Sequence, residues 1–196
     1  MTDPLFDVGD GNTPLDDDEA DGLKPTWVRT RGDLNDAERD NILEARRSIR
    51  SATVDEVLDD PWLRRLHQRM FGDVWTWAGR YRNTLRNIGI GPALIAGAVR
   101  SLTDDCRLWV EHDEPAVAVS RFHHRLVAIH PFPNGNGRHS RAAADYLAGA
   151  LGVPPPTWGS ASGLDVDSLR ADYLSALRAA DRDGDDLDDL VSFIWS

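Results

Sequence analysis

The sequence contains one cysteine, Cys106, so no disulfide can form within the chain and no cluster of thiolates can bind a metal. No apolar run is long enough to cross a bilayer, and the first residues lack the basic and apolar regions of a signal peptide. Basic residues are also in deficit, with 22 Lys and Arg against 33 Asp and Glu and a net charge of −11. These absences predict a cytoplasmic protein without a membrane segment and argue against direct nucleic-acid binding.

Acidic side chains are distributed unevenly along the 196 residues. Residues 1–22 contain eight of them and no Lys or Arg, whereas no Asp or Glu occurs between Ala116 and Ala144. This acid-free stretch contains four of the six histidines, together with Arg121, Arg125, Arg138 and Arg141. An acidic protein that keeps one stretch free of carboxylates offers a place for an anion, so this stretch is the first indication of a functional site.

Length and pattern predict one domain, over residues 55–196, preceded by an N-terminal arm over residues 1–54. The arm contains a short helix over 13–23 and a longer helix over 35–50, each opening like a capping box. In the domain, the apolar segment 115–129 predicts a core helix, and further helices precede and follow it.

Residues 84–90 have strand propensity, and the glycines at 89 and 91 allow the chain to turn back as a hairpin. The sequence therefore predicts an all-α fold, a helical bundle with a small β-hairpin.

The segment from His130 to Gly137, HPFPNGNG, has the features of a phosphate site. Pro131 cannot continue the preceding helix, and the two glycines allow backbone angles at which successive N–H groups converge on one point. The helix that follows presents its positive N-terminal end there, with Arg138 and Arg141 nearby. The reference pKa of histidine is about 6.5, so His130 can accept a proton at neutral pH.

The sequence HPFPNGNGRHSR, from His130 to Arg141, resembles the signature of the Fic (Fido) family, His-x-Phe-x-(Asp/Glu)-Gly-Asn-Gly-Arg-x-x-Arg. It matches every defined position except Asn134. Upstream, WTWAGRYR from Trp75 to Arg82 is similar to the segment that leads into the family's flap hairpin. The N-terminal TPL and TRGDLN segments look like the bacterial branch called mobile mystery protein B, which is linked to mobile elements.

The resemblance implies a protein adenylyltransferase that transfers AMP from ATP, with Mg²⁺, to a Ser, Thr or Tyr hydroxyl of a target protein. His130 would be the general base, and Phe132 would seat the loop. The residues that would hold the phosphates are Gly135, Asn136, Gly137, Arg138 and Arg141. The flap that would bind the target by strand addition comprises Leu85, Arg86, Asn87, Ile88, Gly89 and Ile90.

Two further roles follow from the resemblance. Asn134 stands where adenylylating members have Asp or Glu, so it would contribute a weak metal ligand, directly or through water. Many members have an inhibitory helix with a glutamate that pairs with the second loop arginine, and the segment nearest to its motif here, Asp17 to Gly22 in the helix over 13–23, has Asp at both key positions. Asp21, and after it Glu19, would pair with Arg141 in this chain.

Alternatives remain open at this stage. The loop chemistry also suits transfer of UMP or another phosphate-linked group, although Gly137 argues against the phosphoryl-transferring branch, which has Lys there. A nucleotide-binding module without turnover is a third reading, because Asn134 brings no charge to a metal. Neither a helix-turn-helix companion protein, which the resemblance suggests, nor a homodimer can be read from the residues. His139 is expected to be an exposed residue of the first helical turn.

Overall fold

Eight α-helices and one 3₁₀ turn, Pro92–Leu94, form the regular structure of the residues that the computed structural model describes, 22–182 and 186–196. The helices are α1 (Arg31–Ser48), α2 (Val54–Val57), α3 (Asp60–Phe71), α4 (Ile95–His112), α5 (Pro115–Ile129), α6 (Asn136–Ala150), α7 (Val166–Arg182) and α8 (Asp188–Trp195). Within these ranges no sheet is present, and one isolated antiparallel bridge joins Leu23 to Trp75. The helical fold is therefore confirmed.

Helix α5 lies at the centre of the fold and packs against α4, α6 and α8. Its buried side chains include Phe122 and Leu126, and α6 presents the small residues 142–144 toward the core. Small side chains allow two helix backbones to approach closely, and burial of the large ones supplies the hydrophobic stabilisation. The helices α5 and α6 are consecutive, so the loop between them is held at both ends by the core.

Helix α1 begins earlier than the sequence predicts. The predicted start was near residue 35, whereas the structure places the N-cap at Thr30. The Thr30 hydroxyl accepts the N–H of Asp33 at 3.2 Å, and the Asp33 carboxylate accepts the N–H of Thr30 at 3.0 Å. This capping box satisfies the first free N–H groups of the helix, so the first turn forms ahead of the one that the sequence favoured.

The predicted β-hairpin over residues 84–90 is not seen, and the segment is an irregular loop. The carbonyl oxygens at its two ends accept from the buried guanidinium of Arg82, Thr84 O at 2.9 Å and Ile90 O at 2.5 Å. The same side chain donates to His130 O at 2.7 Å. One arginine therefore holds both ends of the segment next to His130 without strand pairing.

The predicted helix over 13–23 lies outside the described residues except for its last two positions, and both inhibitory candidates, Glu19 and Asp21, fall outside them. No helix in the described ranges is long and apolar enough to span a membrane.

Candidate active site

His130 ends helix α5 in the left-handed conformation, with φ 53° and ψ 61°. Left-handed backbone is costly for a residue with a side chain, and such strain is concentrated at functional sites. The N–H of His130 still donates to Leu126 O at 3.3 Å, so the helix is complete up to this point. The chain then leaves the helix axis abruptly, and the half-buried imidazole lines a cleft beside α6.

The loop after His130 is closed by the side chain of Asn136. Its Oδ1 accepts the N–H of Phe132 and its Nδ2 donates to Phe132 O, both at 2.8 Å. The Asn136 side chain is 3% exposed, so these internal bonds use it fully. The resemblance implies that Asn136 contacts phosphate, but its amide holds the loop together, and its backbone N–H remains for an anion.

The loop rests on aromatic residues of α3. The buried ring of Phe132 stacks on His67, with 3.7 Å between ring centroids. Gly135 has φ 76°, and a Cβ added there would lie 2.5 Å from the Phe71 ring. Only glycine combines the left-handed conformation with this close approach.

The N-terminus of α6 lines the cleft at the place where the sequence predicts an anion site. The first helical hydrogen bond of α6 runs from His139 N to Gly135 O at 2.9 Å. The N–H groups of Asn136 and Gly137 lie ahead of this bond at the start of the helix, and the helix dipole favours negative charge at this end. A Cβ at Gly137 would meet nothing closer than Arg141 at 3.6 Å, so the backbone is accessible there.

The two loop arginines have different surroundings. Arg138 pairs with Glu38 of α1 at 2.7 Å, and its guanidinium lies 5.0 Å from the centroid of the Phe71 ring. Arg141 is 4% exposed and lies over the ring of Tyr173, 5.6 Å from its centroid. Both line the cleft, one toward α1 and the other toward α7.

Glu38 is a site residue that the sequence did not identify. It is 2% exposed, and besides Arg138 it accepts the indole N–H of Trp75 at 2.6 Å. A signal was present, because Glu38 lies on the same helical face as the buried Leu34 and Ile42. An acidic residue on an apolar helix face needs a buried partner, so the position of Glu38 between Leu34 and Ile42 indicates a buried ion pair.

Burial lowers the pKa of His130, a hydrogen bond with the Val127 backbone raises it, and the nearby charges of Arg82 and Arg86 lower it. The net direction is downward from the ordinary histidine value. The imidazole is therefore neutral at pH 7 and has one nitrogen with a lone pair, as a proton acceptor requires.

The cleft in front of His130 has a volume of about 940 Å³, in the range that small-molecule sites occupy. One wall is residues 88–90 and the opposite wall is α7, with Arg170, Leu174 and Arg178. In the flap segment, Leu85 is 76% exposed and Ile88 is 64% exposed. Gly89 passes close to the base, since a Cβ there would lie 2.5 Å from His130 Cβ.

Asn134 lines the cleft, and its Oδ1 accepts the N–H of Gly135 at 2.7 Å. Over residues 22–182 and 186–196 no group of three or more His, Cys, Asp or Glu side chains could hold a metal ion. The Asn134 side chain brings a neutral amide oxygen to the cleft, and such an oxygen is a weaker ligand for a hard cation than a carboxylate.

His139, in the first turn of α6, is not exposed as the sequence predicts. His139 was expected to be exposed, but it is 1% exposed and its Nε2 donates to Leu63 O at 2.9 Å. The reason is that α6 packs against α3, so this face of its first turn is turned toward the core.

Comparison with known proteins agrees with this geometry. Residues 57–148 match the model of the Fic/DOC family. The chain is 28% identical over 157 residues to the protein adenylyltransferase fic-1 of Caenorhabditis elegans, covering 75% of this chain and 28% of that protein. It is 36% identical over 72 residues to a uridine 5′-monophosphate transferase of Xanthomonas campestris, covering 31% of this chain and 13% of that protein.

The fold also matches the crystal structure of the BepC protein of Bartonella tribocorum with bound AMPPNP. The TM-score is 0.67 and the identity 16%, with 89% of this chain and 94% of that chain covered. This likeness shows the fold. The two curated relatives are much longer proteins, since this chain spans only 28% and 13% of their lengths.

Proposed function

We propose that this protein is an adenylyltransferase that transfers AMP from ATP to a Ser, Thr or Tyr hydroxyl of a target protein. The observation that carries the proposal is the position of His130 at the end of α5, beside the N-terminus of α6, which has no side-chain cap, and its two arginines. A proton acceptor beside an anion site is what attack on a phosphorus atom requires. The named activities of the relatives agree with it.

In the proposed reaction His130 takes the proton of the target hydroxyl as its oxygen attacks the α-phosphorus of ATP. The new bond joins this oxygen to phosphorus, and the bond from the α-phosphorus to the bridging oxygen of the β-phosphate breaks. Pyrophosphate leaves with its charge held by Arg138, Arg141 and the N–H groups of residues 135–138. Mg²⁺ on Asn134 and the phosphates would neutralise part of this charge.

The loop over residues 85–90 is the proposed target-binding segment. It forms one wall of the cleft and exposes Leu85 and Ile88 to solvent. An extended segment of the target could pair with its backbone while the side chains of these residues make apolar contacts. Such pairing would place the target hydroxyl in front of His130.

A second candidate is transfer of UMP, because the chain is 36% identical to part of a uridine 5′-monophosphate transferase. The loop recognises phosphates, which ATP and UTP share. A nucleotide-binding module without turnover is the third candidate, favoured by Asn134, which gives the metal no negative ligand. The predicted helix-turn-helix companion and homodimer stay predictions.

The test is to incubate the protein with Mg²⁺ and ATP or UTP labelled at the α-phosphate, alone and with bacterial lysate as a source of targets. The labelled nucleotide that yields labelled protein identifies the transferred group. His130→Ala should abolish the label, whereas His112→Ala, at the exposed end of α4, should leave it unchanged. ATP binding by the wild type without label in either condition would favour the silent module over both transferases.

A further inference from the structure

His67 lies on α3, is fully buried, and makes two hydrogen bonds to distant parts of the chain. Its Nδ1 accepts the backbone N–H of Gly79 at 3.0 Å, and its Nε2 lies 3.1 Å from the carbonyl oxygen of Asn134. The first partner belongs to the turn that precedes the flap loop, and the second belongs to the anion-binding loop. One imidazole therefore connects the turn that precedes the flap loop to the anion-binding loop.

These partners fix the protonation state of His67. A backbone N–H can only donate and a carbonyl oxygen can only accept, so Nδ1 has a lone pair and Nε2 has the hydrogen. A second proton would remove the acceptor that Gly79 needs. Burial lowers the pKa of His67 well below the ordinary value, and the nearby His139 and Arg138 act in the same direction. The two hydrogen bonds therefore require the neutral imidazole with its hydrogen on Nε2.

The bond to Asn134 also sets the direction of a neighbouring N–H. In a trans peptide the carbonyl of Asn134 and the N–H of Gly135 point in opposite directions. The carbonyl is directed at His67 in the protein interior, so the N–H of Gly135 is directed away from it, where the Asn134 side chain accepts it at 2.7 Å. Both residues line the cleft.

We propose that His67 is a positioning residue for nucleotide binding, which locks the Asn134–Gly135 peptide plane so that the Gly135 N–H lies on the cleft side, where it donates to the Asn134 side chain in the free protein and to a nucleotide phosphate when one is bound. The ring has a second hold on the loop, because Phe132 stacks on it at 3.7 Å. The proposal rests on the function given above, in that it requires a phosphate in the cleft.

Two amide variants separate the bonds. Asn at position 67 places its oxygen near the position of Nδ1 and can accept from Gly79, but it is too short to donate to Asn134. Gln reaches the position of Nε2 and can donate to Asn134, but it leaves Gly79 without an acceptor. Each variant removes the ring and breaks one of the two bonds, so the pair is matched for general damage to the core.

Affinity for ATP with Mg²⁺ should be measured by isothermal titration calorimetry for the wild type, His67→Gln and His67→Asn, with Tm measured in parallel. We expect His67→Gln to bind within about threefold of the wild type and His67→Asn to bind about tenfold more weakly, since one positioned hydrogen bond is worth roughly that ratio. The two Tm values should fall by similar amounts. Equal affinity losses, or weaker binding by His67→Gln, would overturn the proposal.

Amide hydrogen exchange of the ATP-free proteins gives a readout that needs no turnover and no ligand. Peptides covering residues 131–138 should exchange faster in His67→Asn than in His67→Gln. If wild-type protein binds ATP without transferring AMP, the proposed function fails while the role of His67 is still tested by affinity. If the protein binds no ATP, a faster-exchanging loop in His67→Asn supports the positioning and equal exchange contradicts it.

Discussion

Glu38 is the residue whose environment departs most from that of an ordinary helix-surface glutamate. Its two carboxylate oxygens are used separately, one by the Trp75 indole at 2.6 Å and the other by Arg138 at 2.7 Å. The Glu38 carboxylate therefore orients the Arg138 guanidinium from the side of α1 and offsets its positive charge when no nucleotide is bound. This ties the N-terminal helix α1 to the chemistry of the loop.

Glu38→Gln should lower the free energy of unfolding by about 2 kcal/mol, because the amide NH₂ must face either the indole N–H or the guanidinium, both of which are donors. Urea unfolding followed by circular dichroism measures the change. Glu44→Gln on the same helix is the control. Its carboxylate is 69% exposed and 3.7 Å from Arg47, so its removal should leave the transition unchanged. Equal midpoints for the two variants would contradict the structural role of Glu38.

The pH dependence of labelling should report the environment of His130. The active form is the neutral base, so the rate falls as pH decreases through the pKa of His130. Because burial holds this pKa below the ordinary value, the rate should stay constant from pH 8 to pH 7 and decline only in more acidic buffer. Initial labelling rates at saturating ATP across this range test the expectation. A decline that begins above pH 7 would contradict it.

Arg86 gives a way to move that profile. Its positive charge disfavours the imidazolium and so lowers the pKa of His130. In Arg86→Gln the pKa should rise, and the acidic limb should shift to higher pH. Arg100→Gln, an exposed arginine on α4, is the control and should leave the limb in place. An unmoved limb in Arg86→Gln would mean that this charge is screened from the base.

The cleft residues that the sequence predicts lie in two short segments, His130 to Arg141 and the flap at 88–90, where local spacing carries the information. Glu38 and His67 could not be found in that way, because their partners lie far away in the chain and meet them only after α1 and α3 have packed. His139 was misjudged for the same reason. The burial of His139 depends on which face of α6 packs against α3, and the sequence around His139 does not show which face that is.

At the scale of elements, the helices of the bundle follow from apolar periodicity, and α5 begins and ends where the sequence predicts. The sequence predicts the first residue of a helix less well where several residues can act as the N-cap. Several Thr, Asp and Asn residues near the start of α1 are suitable N-caps. The flap shows another limit. Residues 84–90 have strand propensity, but the buried side chain of Arg82 binds the carbonyl oxygens of Thr84 and Ile90, and the segment forms no hairpin.

The start of α1 can be tested by two substitutions. Thr30→Ala should destabilise the protein by about 1 kcal/mol, since it removes the acceptor for the Asp33 N–H. Asn35→Ala, at the position where the sequence alone placed the start, should have no measurable effect because residue 35 lies inside the helix. Thermal and urea unfolding of both variants provide the measurement. The opposite ranking would place the cap at Asn35.

At the scale of the whole molecule, charge separates the chain into an acidic arm and a cationic cleft. The first 22 residues contain eight acidic side chains and no basic ones, whereas the cleft is lined by Arg138 and Arg141 on α6 and by Arg170 and Arg178 on α7. An acidic segment in the same chain is a natural competitor for a site that binds polyphosphate. This contrast supports the proposal that the arm restrains the enzyme, with Asp21 ahead of Glu19 as the acid that pairs with Arg141.

Removing residues 1–21 should therefore raise ATP affinity and the His130-dependent label by several-fold. The cut stops there because Gly22 O accepts the N–H of Thr76 at 2.8 Å, and Leu23 is bridged to Trp75 beside Glu38. Asp21→Asn with Glu19→Gln should reproduce most of the gain, whereas Asp7→Asn with Asp10→Asn removes the same charge and should not. If the truncation leaves label and affinity unchanged, the arm does not restrain the site. If both pairs of substitutions act equally, the arm acts by its net charge and no single carboxylate pairs with Arg141.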